Sequence, residues 1–277
     1  MQTQFTVIDN LNIRYAKHEQ GFAETLLLLN PVPESIFCFT PIWNSLALQF
    51  NLLAIDMPGF GQSEAREDLY SVSAMADFLP KLIDHFAIKK VHILGPDIGA
   101  PIALFLAARY PERIKSIIIN GGASVVPFKV DNVLRDIMYA PDLEGFKQLA
   151  VKDVINGSLS ELRNYRLPDD IRADYISSYE HGRLFDAMKI LRAYIVDIPI
   201  LDGLLESIMT PVQIIWGVND PVALVDNAYI LHDRLPKNKI HIVEDGAHYI
   251  WEENYAEYLA IITDWLAEGY KFLPVLS

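Results

Sequence analysis

The reading of this chain turns on Lys89–Ile114, KKVHILGPDIGAPIALFLAARYPERI. An apolar strand from Val91 to Leu94 enters the tight turn Gly95-Pro96-Asp97-Ile98-Gly99, and a helix follows from about Ala100 to Arg109. A strand that feeds a helix through glycines two places either side of one reactive residue is the sequence form of a nucleophile elbow, usually G-x-S-x-G. The central residue of such a turn is strained, and side chains at the flanking positions would collide with the neighbouring strand and helix. Here the central residue is Asp97. A carboxylate is anionic at neutral pH and can displace a leaving group at saturated carbon, which would leave an ester on Asp97. The plainer alternative is an aspartate that only caps the following helix, favoured there by the helix's positive end.

Outward from the elbow, the pattern is strand and helix in alternation. Phe5–His18 alternates around Asp9-Asn10 and predicts an antiparallel hairpin at a sheet edge. Thr25–Asn30 and Asn51–Asp56 read as strands buried on both faces, separated by a helix over Ile36–Gln49. Ser71 caps a helix reaching Phe86, and Ile114–Asn120 is the strand after the elbow helix. From about Ala123 to Ser207 the strand signal stops; the segment is helical, broken by prolines and glycines, and rich in tyrosine. Strands return at Val212–Trp216 and in KIHIVED, with a helix over Pro221–Leu235 between them and a closing helix over Glu252–Tyr270. The expected fold is therefore α/β: a mostly parallel sheet with helices on both faces, core residues 1–122 and 208–277, and a helical lid over 123–207.

Composition narrows the function classes. The 277 residues, half of them apolar, suffice for one large domain with an insertion. A net charge of −13 argues against a nucleic-acid partner, which needs clustered Lys and Arg. Cys38 is the single cysteine, so neither an internal disulfide nor a thiolate metal cluster can form. No metal or organic cofactor is expected. The first twenty residues lack a basic start followed by an apolar run, and every apolar run is too short to span a bilayer, so a cytoplasmic location without membrane association is expected. Monomer and homodimer both remain open.

In open α/β sheets the ligand site lies beyond the carboxyl ends of the strands. Two more strand ends carry what Asp97 would need: Asp220 in WGVNDP and His248 in EDGAHYIWEE. Their order, nucleophile, acid, histidine, is the one such sheets use. Each has a bland reading as well, Asp220 as a helix cap and His248 as one of seven histidines. With LAIDMPGFGQS, GPDIG, YPERI, WGVNDP, GAH and the PES after the third strand, the chain resembles the α/β-hydrolase fold family, within it the epoxide hydrolase branch, over nearly its whole length outside the lid. The resemblance implies that Asp97 is the nucleophile, His248 the general base and Asp220 its orienting acid. It also implies an oxyanion hole from the N–H groups of Ile98 and Val32 and a small apolar substrate.

The chain departs from that pattern in places. Asn30-Pro31-Val32-Pro33 stands where the family has H-G-x-P, although the Val32 donor survives. Pro96 replaces the usual histidine and Ile98 the tryptophan after the nucleophile. Epoxide opening needs an acid, typically a pair of lid tyrosines, but the usual late tyrosine-arginine pair falls on Leu191-Arg192. Tyr194 lies one helical turn further on, and Tyr139, Tyr165, Tyr175 and Tyr179 are the other lid tyrosines considered. Haloalkane or haloacid dehalogenation is an alternative, for which Trp43, Trp216 or Trp251 would donate to a halide. A non-catalytic small-molecule binder is another. A serine-esterase mechanism is disfavoured because Asp97 holds the nucleophile's place.

Overall fold

The computed structural model describes residues 1–130 and 132–276. Eight strands form one sheet in the order β1-β2-β4-β3-β5-β6-β7-β8. They are β1 Thr3–Ile8, β2 Leu11–His18, β3 Thr25–Leu29, β4 Asn51–Ile55, β5 Val91–Pro96, β6 Ile114–Asn120, β7 Val212–Gly217 and β8 Asn238–Val243. The first two pair antiparallel with each other, β2 pairs antiparallel with β4, and the rest are parallel. The hairpin turns through Asp9 and Asn10, both with positive φ (51° and 63°), as a two-residue turn that follows the strands' twist requires. Leu26 to Leu29, Leu52 to Ile55 and Ile117 to Ile119 are buried on both faces, which is why these strands read as unbroken apolar runs.

Around the sheet lie α1 Thr40–Leu46, α2 Val72–His85, α3 Gly99–Arg109, α9 Asp226–Arg234, α10 Ile250–Glu253 and α11 Tyr255–Asp264. Between β6 and β7 runs a helical insert of α4 Asn132–Tyr139, α5 Val151–Leu159, α6 Asp169–Ser178, α7 Arg183–Arg192 and α8 Tyr194–Asp202. Ser71 caps α2, its hydroxyl accepting from the Ala74 N–H. Among the described residues no helix is long and apolar enough to cross a membrane.

Three expected helices are shorter than the sequence suggests. Over Ile36–Gln49 a 3₁₀ turn, Ile36–Phe39, precedes α1, because Pro41 sits in the first turn of the α-helix and suits only a start. Pro221–Leu235 becomes helical only from Asp226: the Asp220 carboxylate takes the N–H groups of Val222 and Ala223, while Leu224 N–H goes to the Lys129 carbonyl. The closing helix breaks at Asn254 and ends in a wider turn over Trp265–Gly269. None of these changes moves a strand end, so the residues expected at the sheet's rim remain there.

The insert is tied to the core by charge as well as apolar packing. Arg14 of β2 is 4% exposed and bonds the wholly buried Asp56 after β4 through Nε. Its outer nitrogens reach Asp174 of α6 at 2.5 and 3.0 Å. Arg183 of α7 donates to the carbonyls of Gly61 and Ser63 at 2.8 and 2.7 Å. These bonds hold one side of the insert over the strand ends.

Candidate active site

Asp97 follows β5 directly, with φ of 49°. That left-handed backbone is costly for a side-chain-bearing residue and persists here because its surroundings leave no alternative. A Cβ on Gly95 would lie 2.5 Å from the Gly99 carbonyl oxygen, and one on Gly122 2.3 Å from that of Asp97. The elbow therefore needs glycine on its own strand and also on the neighbouring β6 end. The NGG at residues 120–122 is a signal the sequence reading passed over.

The structure brings Asp97, His248 and Asp220 together. Oδ2 of Asp97 accepts from the Val32 N–H at 2.9 Å, and the Ile98 N–H favours the charged form of the same carboxylate. Oδ1 lies 3.9 Å from Nε2 of His248, beyond a hydrogen bond. On the other side of the ring, Nδ1 is 2.9 Å from Oδ2 of Asp220, whose Oδ1 is held by Val222 and Ala223. This fixes the imidazole with a proton on Nδ1 and leaves Nε2 as the free base facing Asp97. All three side chains are nearly out of solvent.

Burial pushes the Asp97 carboxyl up, opposed by the His248 charge and the Val32 and Ile98 donors. Burial works to lower His248, but the charge and hydrogen bond of Asp220, then Asp97, outweigh it and raise its pKa. The Asn30-Pro31 departure leaves the Val32 N–H on Asp97. Asn30 donates to the Pro31 carbonyl at 2.8 Å and accepts from Met57 N–H at 2.8 Å, pinning the loop that carries Val32.

A cavity of about 130 Å³ opens onto Asp97 and His248, walled by Val32, Pro33 and apolar side chains of the insert such as Leu134, Ile137 and Met188. Space near 150 Å³ admits a benzene-sized molecule. Among the described residues its lining includes no Lys or Arg, so a substrate carboxylate would meet Asp97 without a counter-charge.

The structure places the remaining candidates elsewhere. Tyr139 points to solvent, 62% exposed, on the side of α4 away from the cavity wall formed by Leu134 and Ile137. Trp43 is buried in α1 and does not line the cavity, because its helix packs on α10 and α11 behind the site. Trp216 gives its indole N–H to the Ala223 carbonyl and Trp251 to Glu34, so neither is open to a halide. Tyr175 and Tyr179 donate to Glu252 and to the Glu34 carbonyl. Tyr194 is buried where α8 packs on α3 and is not among the described residues lining the cavity; the Asp97 charge acts on its phenol, and its hydroxyl has no hydrogen-bond partner among the described residues.

Sequence reasoning missed two polar features at the site. Tyr249 and Ser158 line the cavity, and two carboxyls, Glu34 and Glu252, are fully buried, bonded to Trp251 and Tyr175. Burial raises both, Glu252 to about 7. A folded-state pKa above the unfolded one means stability that is present at low pH and lost as pH rises, here between about 4.5 and 7. Glu252→Gln removes that slope. Relative to wild type, the variant is expected to gain about 1–3 kcal/mol on going from pH 5 to pH 8, read from urea midpoints at both. An unchanged difference at the two pH values would contradict the raised Glu252 carboxyl.

A parallel sheet with a strained elbow residue after β5, an acid after β7 and a histidine after β8 defines an α/β-hydrolase-type enzyme. The chain belongs to the α/β-hydrolase fold family, which it matches over residues 24–255. It is 24% identical over 267 residues to a 2-hydroxymuconate semialdehyde hydrolase of Pseudomonas sp. strain CF600, covering 93% of this chain and 92% of that one. Among solved structures it superposes on Cfl2 of Burkholderia cenocepacia with TM-score 0.83, at 19% identity over 95% of both chains. On an epoxide hydrolase of Bacillus megaterium in complex with an inhibitor the TM-score is 0.77, at 19% identity, covering 96% of this chain and 100% of that one. At such identities the structural likeness establishes the fold.

Proposed function

We propose that this enzyme hydrolyses a small apolar epoxide through an ester on Asp97, under a lid formed by the insert. The observation that carries the reading is the split use of one carboxylate: Oδ2 is held by the Val32 N–H, while Oδ1 is left to attack within an apolar cavity, 3.9 Å from a free imidazole nitrogen. In the first step Oδ1 bonds to an epoxide carbon, the carbon–oxygen bond breaks, and its electron pair stays on the departing oxygen. In the second, Nε2 of His248 takes a proton from water and the resulting hydroxide adds to the ester carbonyl carbon. The charge then growing on Oδ2 is met by the N–H groups of Val32 and Ile98, already in place; such donors are often worth about 3 kcal/mol each. Collapse releases the diol, which takes the proton from His248, and restores Asp97 with one oxygen derived from water.

An epoxide fits better than a halide because the indoles of Trp216 and Trp251 are already engaged and, among the described residues, the cavity's polar side chains besides Asp97 and His248 are hydroxyls. Mass spectrometry after incubation with short-chain epoxides and matched bromoalkanes tests this. Diol formation, with one solvent oxygen entering Asp97 over repeated turnovers in H₂¹⁸O, is expected. Halide release without diol would replace the reading with a dehalogenase, and a chain that never carries an adduct would make it a binder.

A further inference from the structure

Ring opening leaves an alkoxide, which is costly in an apolar cavity unless a proton arrives as the bond breaks. Among the described residues, four ionisable or hydroxyl side chains line this cavity: Asp97, His248, Tyr249 and Ser158. In the function proposed above, on which this inference rests, Asp97 is consumed as nucleophile and His248 must stay neutral to act as base in the next step. Among the described lining residues the two hydroxyls remain. Between them a phenol is much the stronger acid, since its conjugate base is delocalised over the ring.

We propose that the Tyr249 hydroxyl is the acid that protonates the departing epoxide oxygen, and that Ser158 of α5 is its positioning residue. Tyr249 follows His248 directly, and its ring is held edge-on between His248 and Trp251 at centroid distances of 5.1 and 5.4 Å. It is 4% exposed, so its proton is not in free exchange with bulk water. Burial, then the charges of Glu34 and Asp97, hold the phenol in its neutral, donating form. Ser158 lines the same cavity as Tyr249, and its hydroxyl donates to the Val154 carbonyl at 3.1 Å. A serine hydroxyl has one rotatable proton and two lone pairs. At rest it donates to Val154; once Tyr249 has given its proton to the alkoxide, the serine proton can turn to the tyrosinate. The proton that the attacking water leaves on the regenerated Asp97 carboxyl returns to Tyr249 as the diol leaves, which restores both groups. The acid is thus supplied from the histidine's own loop, with the insert contributing the serine. Tyr194, the insert tyrosine expected for this task, is buried and is not among the described residues lining the cavity.

Single-turnover kinetics with 1,2-epoxyhexane separate the two chemical steps: formation of the Asp97 ester, followed by intact mass, and its breakdown. Tyr249→Phe is expected to slow ester formation by about 100-fold or more while breakdown changes by less than about threefold. Loss of packing or folding would slow both steps together, and thermal melting of the variant checks that it folds. Ser158→Ala is expected to slow formation by about tenfold, again sparing breakdown, and Ser158→Thr to restore it. Tyr194→Phe is expected to leave both rates within about threefold. Ester formation at wild-type rate in Tyr249→Phe, or its loss in Tyr194→Phe alone, overturns the assignment while leaving the covalent route standing. A wild-type protein that forms no ester at all overturns the proposed function and this role with it.

Discussion

His248→Gln protein is expected to take up one equivalent of epoxide as an ester on Asp97 and to keep it. Ester formation should stay within a few-fold of wild type, since the attacking Oδ1 needs no base, while breakdown falls by about 10²–10⁴-fold, the usual contribution of a positioned general base. The geometry separates the two steps. Nε2 lies 3.9 Å from Oδ1, too far to be spent on a hydrogen bond to the resting carboxylate, and Nδ1 is anchored on Asp220 at 2.9 Å. Glutamine fills similar space and offers an amide in place of a base. Intact-mass measurement after rapid mixing would show the adduct persisting, and fast multiple turnover by the variant would remove His248 from the mechanism. In the wild type the same step carries a pH signature. Only neutral imidazole accepts a proton, and Asp220 and Asp97 raise the His248 pKa above its usual 6.5 against the effect of burial. Breakdown should therefore accelerate as pH rises through that raised value and then level off. A rate independent of pH between 5 and 9 would be incompatible with this base.

The meeting of Asp97, Asp220 and His248 was legible in the sequence because all three sit at strand ends, and strand ends are fixed by runs such as Leu26–Leu29 and Val212–Trp216 whose burial on both faces leaves little freedom of register. Asp97, Asp220 and His248 could be placed by counting from those runs, and the Val32 donor by its distance from β3. The polar environment of the site could not. Tyr249 reads locally as one aromatic among YIW, and Ser158 as one small residue on an amphipathic helix; only the packing of α5 over the His248 loop makes them neighbours. Tyr139 and Trp43 failed as candidates for the same reason, since residue type says nothing about which face of α4 or α1 is turned to the cavity. The shortened helices fail differently. At 221–225 helical propensity loses to a specific competitor, the Asp220 carboxylate, which collects the N–H groups of Val222 and Ala223. That same bonding holds Asp220 in place for His248, so the break in the helix is part of how the site is built.

Arg14→Ala is expected to produce the largest loss of stability of any change outside the elbow, although Arg14 touches neither cavity nor triad. Its guanidinium lies between Asp56, with no exposed surface, and Asp174 of the insert. Asp56 has other partners, the N–H groups of Ile36 and Gln62 at 2.9 Å each, but Arg14 is its only cationic partner among the described residues. Burial already raises the Asp56 carboxyl despite the opposing Arg14 charge. Removing that charge leaves a buried carboxylate uncompensated, a change that costs about 3–5 kcal/mol in comparable pairs, or roughly a 10 °C fall in melting temperature for a chain of this size. The sign of the pH dependence is fixed by the same argument. Without Arg14 the Asp56 pKa climbs further above its unfolded value, so the variant's deficit should grow as pH rises from 5 to 8 and shrink as the carboxyl takes up a proton. Asp56→Asn in the Arg14→Ala background should recover part of the loss at pH 8 and little at pH 5, because it supplies the neutral group that the lone carboxyl can reach only in acid. The Asp174 arm predicts a second, local effect. With α6 no longer tethered to β2, proteolysis of the insert should quicken more than global unfolding accounts for. If proteolysis and melting shift in parallel, Arg14 stabilises the core alone and the insert is held by its other contacts, among them Arg183 on the Gly61 and Ser63 carbonyls.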